Sequence, residues 1–311
     1  MAKILVTGGA GFIASHVADQ YIKDGHKVMI VDNLLTGKKE NVNKKAKFYK
    51  ADIKDAKTIN EILAAEKPEI INHHAAIAEV VKSLKDPIPT LETNVMGTVN
   101  LLIAGMKNGL KRFIFSSTGG AIYGSARLTA SGQPIPTDEK NSPTPLSPYG
   151  FSKSLGEECI KFYSRLGNFK YVIFRYPNVY GPRQNPKGEA GVVAIFTGLL
   201  KEGKQPTIFG DGIKTRDYAH VADIVSANVL ALAKGDNEIL NLGWGQPVTD
   251  QEVFDTIKSA LKSNIKCHYA PHRTGEVYQI ALNAEKARKV LGWKPKLAFK
   301  EGVAEYIKSL K

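Results

Sequence analysis

Short apolar runs alternate with amphipathic stretches along the first half of the chain. Ile4-Leu5-Val6 reads as a buried strand, followed by a glycine-rich turn and a helix-patterned stretch to about Lys23. Lys27–Val31 and Lys47–Tyr49 read as further strands, and Ile59–Ala65 lies in a helix. Glu69–Asn72 is a fourth strand and Arg112–Ser116 a fifth. Between them a helix of about Thr90–Asn108 is closed by Gly109. The strands are continuously apolar instead of alternating, which fits a parallel sheet covered by helices on both faces.

After a Pro-rich loop at Gln133–Pro148, the pattern predicts a helix over Pro148–Leu166, with Pro148 suited to its first turn. Tyr171–Arg175 is a sixth strand. A loop at Pro182–Gly191 precedes helices at Val192–Lys201 and His220–Ala233. A last helix near Asp250–Ser263 leaves a tail with Leu291-Gly292-Trp293-Lys294-Pro295. There is no repeat and no low-complexity linker, so the second half reads as a cap packed on the sheet. Trp244 and Trp293 are expected in the packing of that cap.

The 311 residues carry 43 Lys+Arg against 30 Asp+Glu, a formal charge of +13, with 43% hydrophobic residues. This excludes a disordered chain. The excess is mostly Lys, with eight Arg. The densest group (Lys38, Lys39, Lys44, Lys45, Lys47, Lys50) holds no arginine and has only Phe48 and Tyr49 interleaved, so it reads as a solvated face and no nucleic-acid partner is expected. No apolar run reaches the ~20 residues of a membrane span, and the short apolar start does not resemble a signal peptide. The expectation is a cytoplasmic protein without membrane attachment. Cys159 and Cys267 read as free thiols. His73, His74 and the cysteines lack partners at metal-ligand spacing, so no metal is expected.

Candidate chemistry starts at Gly8-x-x-Gly11-x-x-Ala14, between a strand and a helix. Glycines there make a tight turn and let backbone approach a pyrophosphate at the helix N-terminus. Asp32 ends the second strand, 18 residues beyond Ala14. A carboxylate there holds a ribose 2′-hydroxyl and repels a 2′-phosphate, favouring NAD over NADP. Tyr149 and Lys153, at i and i+4, share a helix face. An ammonium beside a phenol favours the phenolate, so Lys153 should lower the Tyr149 pKa and suit it to acid–base work. The fifth strand delivers the hydroxyls of Ser116-Ser117-Thr118 to the C-terminal edge of the sheet, where ligands bind.

With these residues in place, the chain resembles the extended short-chain dehydrogenase/reductases, and within them the UDP-hexose 4-epimerase branch of the NAD-dependent epimerase/dehydratases. The resemblance runs through TGGAGFIAS (7–15), VDNLLTGKKENV (31–42), HHAAIAEV (73–80), NVMGT (94–98), SSTGGAIYG (116–124), SPYGFSK (147–153), FRYPNVYGPRQ (174–184), IFGDGIKTRDYAHVADI (208–224), HRTGEV (272–277) and LGWKP (291–295). It implies a doubly wound Rossmann-type α/β sheet (1–175, with a segment returning near 214–243). A smaller interleaved α/β substrate-binding domain would be formed by 176–213 and 244–311.

The same resemblance assigns roles. Gly8, Gly11, Phe12 and Ile13 would meet the NAD pyrophosphate. Asp32, Asn33, Leu34, Thr36 and Gly37 would hold the adenosine ribose, and Asp52 and Ile53 the adenine. Ala75, Ala76, Asn94 and Pro177 would line the nicotinamide half, and Ser116 and Tyr176 would also contact the cofactor. Thr118, Tyr149 and Lys153 match the catalytic trio, with Ser117 the other candidate for the hydroxyl. Asn178, Arg216 and Arg273 would grip the diphosphate of a UDP-sugar and Glu276 its ribose, with Val192, Val193, Ile208 and Phe209 around them. The planar forks of two arginines suit a diphosphate. Ile280 stands where the family sets room beside the sugar 2-position. The helices near 90–108 and 148–166 resemble those that pair in homodimers of this branch.

The implied reaction is 4-epimerisation of UDP-galactose to UDP-glucose through a 4-keto sugar, or of a UDP-N-acetylhexosamine or UDP-uronic acid. A 4,6-dehydratase is disfavoured because Gly119-Gly120 stand where such members carry Asp-Glu. A non-catalytic NAD-binding regulator is disfavoured because Tyr149 and Lys153 are both present.

Overall fold

The computed structural model describes residues 1–132, 134–186, 191–273 and 277–310. The strands are β1 (Lys3–Thr7), β2 (Lys27–Asp32), β3 (Lys47–Lys50), β4 (Ile70–His73), β5 (Arg112–Thr118), β6 (Lys170–Tyr176), β7 (Asn178–Tyr180), β8 (Thr207–Phe209), β9 (Thr215–Arg216), β10 (Tyr218–His220), β11 (Glu238–Asn241), β12 (Val248–Thr249) and β13 (His268–Ala270). Seven form one parallel sheet in the order β11-β6-β5-β4-β1-β2-β3. The order reverses between β1 and β4, which is where an open α/β sheet forms its ligand crevice.

The helices are α1 (Phe12–Lys23), α2 (Ala56–Glu66), α3 (Val80–Lys85), α4 (Ile88–Leu91), α5 (Gly97–Lys107), α6 (Gly119–Ile122), α7 (Pro148–Gly167), α8 (Val192–Lys201), α9 (Val221–Leu230), α10 (Asp250–Leu261), α11 (Glu285–Leu291) and α12 (Phe299–Lys308). Strand periodicity splits the sheet's side chains between two cores. Ile4 and Val6 pack with Val17 and Tyr21 of α1 and Ile224 and Ala227 of α9. Leu5 points the other way, onto Ile59 and Leu63 of α2, Leu101 and Leu102 of α5 and Ile160 of α7. A third core joins Phe196 and Leu200 of α8 to Val253, Phe254 and Ile257 of α10 and to Val303, Tyr306 and Ile307 of α12.

The structure departs from the sequence pattern in four places. The helix expected over 90–108 is α4 and α5 joined by a π-turn at Glu92–Met96. The helix expected from His220 begins at Val221, because Tyr218–His220 pairs with Asn178–Tyr180 as a strand. A seventh sheet strand, β11, arises from four residues that are too few to show a period. The C-terminal stretch also holds two more helices, α11 and α12.

Trp293 lies in the sheet-and-α9 core, not in the smaller lobe where it was expected. It is 2% exposed, and its indole N–H donates to the Asp223 carbonyl at 2.9 Å. It thereby fastens the C-terminal segment onto α9. Replacing Trp293 by Ala should cost about 3–5 kcal/mol. The check is a lower urea midpoint with an unchanged slope.

Candidate active site

The turn after β1 sets the floor of the site. Gly8 has φ +69°, and a Cβ there would stand 2.8 Å from the Ala75 amide nitrogen. Only glycine fits this approach of β1 to the segment after β4. Gly11 caps α1 without a side chain, so the first N–H groups of the helix meet no side-chain acceptor. At the end of β2, the Asp32 carboxylate accepts from the Ala10 amide (3.0 Å) and the Leu34 amide (2.8 Å). These contacts fix the acid beside the glycine turn. A small-residue cradle, a helix N-terminus with open N–H groups and an oriented acid are the donor set that NAD requires.

The Ser147 hydroxyl caps α7 by accepting from Gly150 N–H (3.2 Å), and Pro148 opens its first turn. Gly156 sits against the Phe115 ring, which lets α7 lie close on β5. Lys153 therefore reaches the sheet: its ammonium donates to the Ser116 carbonyl at 2.7 Å and is 3% exposed. Burial lowers its pKa to about 7, with the Glu157 charge pulling it back up. Burial likewise raises the Tyr149 pKa to about 12, opposed by a hydrogen bond with Thr118. The free protein thus holds Tyr149 as a phenol through burial, contrary to the expectation from helix spacing, and Lys153 donates to Ser116. The two candidate hydroxyls separate: Ser117 donates to Glu157 (2.6 Å), whereas Thr118 faces Tyr149.

A cleft of about 1110 Å³ runs from the glycine turn past these residues to the smaller lobe. It gathers Gly8, Gly11, Phe12, Ile13, Ala76, Ser116, Thr118, Tyr149, Lys153, Tyr176, Pro177 and Asn178 with Val192, Ile208, Phe209, Arg216 and Arg273. The Arg273 guanidinium lies 3.5 Å from the Phe209 ring centroid. Arg216 is steadied by the Thr215 and Tyr278 carbonyls (2.8 and 3.3 Å). The neighbouring Asp217 carboxylate accepts from the backbone of Trp244, Gly245 and Leu282. Burial lifts its pKa to about 6 against those hydrogen bonds.

Other expected residues stand outside the cleft lining. Asn33 and Asp52 meet each other (3.2 Å) beside the loop after β2, where Leu34 has φ +61°, Thr36 is exposed and Gly37 packs against Asp32. Ile53 and Val193 are buried in the second and third cores. Ala75 N–H donates to the Thr7 hydroxyl (3.3 Å). The Asn94 amide binds the Ile77 backbone in both directions and donates to Ser152, so it fixes the segment after β4 from behind. Ile280 is packed among Ile122, Tyr123, Val277 and Leu282; of these, Val277 reaches the cleft. Glu276 lies outside the described residues.

The histidines hold structure. Thr98 spends its proton on the Asn94 carbonyl (2.6 Å), so His73 Nε2–H donates to Thr98 (2.9 Å) and His73 Nδ1 accepts from Thr7 (2.6 Å). Burial holds both His73 and His74 neutral, the latter with a pKa near 3.

Sequence reasoning missed Lys214, Tyr218, Gln184, Asp250 and Glu157. Lys214 and Tyr218 line the cleft with Arg216, and Lys214 pairs with Asp250 (3.2 Å). The alternation 214, 216, 218 carried that signal, since positions two apart in an extended segment share a side. Gly119 matters by what it excludes: a Cβ there would lie 2.4 Å from Leu282 Cδ1.

Residues 4–243 match the model of the NAD dependent epimerase/dehydratase family. A putative UDP-glucose 4-epimerase of Methanocaldococcus jannaschii is 44% identical over 99% of this chain and 98% of its own. The crystal structure of the Thermotoga maritima UDP-glucose 4-epimerase with UDP-glucose is 45% identical, with TM-score 0.95 over 99% of this chain and 100% of that one. The Thermus thermophilus UDP-glucose 4-epimerase complex with NAD is 38% identical, with TM-score 0.93 over 98% of each chain.

Lys153 supplies a pH dependence in the cofactor-free protein. Its folded pKa, about 7, lies below the ordinary 10.5. Between those values the unfolded chain binds a proton that the folded chain does not, so stability from this group rises with pH across the window. Urea midpoints at pH 7 and pH 9 should climb more in the wild type than in Lys153→Met.

Proposed function

The chain belongs to the NAD-dependent epimerase/dehydratase family, and from that premise we propose that it is an isomerase inverting C4 of a UDP-hexose, with UDP-galactose and UDP-glucose as the pair. The observation that carries this reading is the cluster of Thr118, Tyr149 and Lys153 at the C-terminal edge of β5, in one cleft with Arg216 and Arg273.

NAD held on the glycine turn would supply the reversible hydride chemistry that interconverts the C4 alcohol and a 4-keto sugar. Gly8, Gly11, Phe12 and Ile13 hold its pyrophosphate, and Asp32 its adenosine ribose. Tyr149 takes the proton from the C4 hydroxyl and later returns it, with Thr118 sharing that hydrogen bond. A phenol at pKa about 12 is a weak base. The site must therefore gain positive charge before the phenolate is accessible near neutrality, and the ammonium form of Lys153 supplies part of it. Arg216 and Arg273 hold the diphosphate, leaving the hexose tethered at one end and free to turn. Gly119 and Gly120 place no acid or base beside Thr118, which favours epimerisation over elimination of water.

We also propose a homodimer. Met96 (54% exposed) and Ile103 (38%) stand seven residues apart on the π-turn and α5. On α7, Phe151, Phe162 and Leu166 are 49%, 49% and 62% exposed. Apolar side chains at helical spacing on two neighbouring helices suit burial against a second copy.

Purified protein given UDP-galactose without added cofactor should form UDP-glucose by NMR. Tyr149→Phe should lower turnover by about 10²–10⁴ while keeping bound NAD. No product from the wild type, even with NAD added, would reject UDP-galactose as substrate, and UDP-N-acetylgalactosamine is the next compound to supply. In light scattering, the wild type should show twice the mass of one chain, and Phe162→Glu should move it toward a single chain.

A further inference from the structure

Behind the catalytic helix lies a buried ionic group that the reaction scheme above does not use. Glu157 is one helical turn beyond Lys153 on α7 and is 1% exposed. Its Oε1 accepts from Ser117 Oγ (2.6 Å) and Arg175 Nε (2.9 Å), and its Oε2 accepts from Arg175 Nη2 (2.6 Å). Arg175, on β6, also donates to Tyr123 Oη (2.6 Å), and Tyr123 donates to Asn241 (2.8 Å). The network therefore joins α7, β5, β6 and β11 beneath the floor of the cleft. Neither Glu157 nor Arg175 lines the cleft.

Two consequences follow from this geometry. Ser117 spends its one hydroxyl proton on Glu157, so Thr118 is left to face Tyr149. The carboxylate also lies one turn from the Lys153 ammonium, whose only hydrogen bond among the described residues is to a neutral carbonyl. We propose that Glu157 is a positioning residue of this enzyme, orienting the end of β5 through Ser117 and acting as the counter-ion of Lys153. For its catalytic consequence this inference rests on the epimerase reading, in which Lys153 serves as a cation beside Tyr149.

The titratable groups around Lys153 are Tyr149 and Glu157 on its own helix, His73 and His74 at and just beyond the end of β4, and Arg175 and Tyr176 on β6. Burial keeps the two imidazoles and the Tyr176 phenol uncharged. The fixed charges of this set are Glu157 and Arg175, and of the two it is Glu157 that acts on Lys153.

Removing the carboxylate therefore lowers the pKa of Lys153. A merely structural defect would lower kcat at every pH without moving the limbs of the profile. The test uses Glu157→Gln, which keeps an acceptor for Ser117. It is paired with the double variant Glu157→Gln/Arg175→Met, which leaves no unpaired guanidinium should the single variant fail to fold. Lysine ¹³Cε shifts of the cofactor-free protein, assigned by the signal missing in Lys153→Met, report the Lys153 titration directly. Its midpoint should fall by about one unit or more in a folded variant. With UDP-galactose, the kcat profile should shift to lower pH while KM stays within about twofold of wild type, because Glu157 itself does not line the cleft. An unmoved Lys153 midpoint in a folded variant would overturn the proposal. A wild type inactive on UDP-galactose would instead reject the epimerase reading, while the NMR titration would still decide the role of Glu157.

Discussion

A lysine ammonium removed from water at the edge of a parallel sheet is costly, and much of this fold is organised around carrying that cost. Among the described residues Lys153 has one direct hydrogen bond, to the Ser116 carbonyl, and reaching it requires α7 to lie tightly on β5. Gly156 permits the approach, and the Ser147 cap with Pro148 fixes where the helix starts. Tyr149 is then placed beside Thr118 by helix geometry alone. Moving any of these elements would separate the phenol, the hydroxyl and the ammonium together.

The cleft itself is made where two kinds of packing meet. On one side the sheet ends in backbone, glycine and small side chains, which admit a flat dinucleotide. On the other, the segment from Lys214 through β9 to Tyr218 at the start of β10 presents cationic and polar groups to an anionic ligand. Asp217, between them, faces the opposite way and is held by the backbone of Trp244, Gly245 and Leu282. One short segment thus contributes ligand contacts on one side and an internal fastening on the other. This period-two economy lets a small lobe supply ligand-facing charge without a large core of its own.

Much of this was legible in the sequence because its signals are local. The glycine turn, the strand-end acid and the Tyr–Lys spacing each follow from a few neighbouring residues, as does the cap of α7. What escaped depends on partners distant in the chain. Glu157 is an ordinary helix acid until Ser117 and Arg175 are brought to it. The neutral phenol of Tyr149 follows from burial, which i, i+4 spacing does not report. Ile280 matches a family position by register, yet its side chain packs into a core with Ile122 and Leu282. Trp293 and β11 were misread or missed for the same reason: their roles are set by the sheet face they land on, not by their own periodicity.

The contact between Gly119 and Leu282 has a historical consequence. The space that a side chain at 119 would need is filled by a leucine from a segment more than 160 positions away. A carboxylate introduced at 119 alone would collide with Leu282. A smaller residue introduced at 282 alone would open a void in a tight core. Each first step toward a new proton-transfer group is thus a loss in itself, and the gain comes only when both changes coincide. A proton-transfer group at 119 therefore calls for repacking at Leu282, so packing supports the present chemistry alongside the groups that perform it.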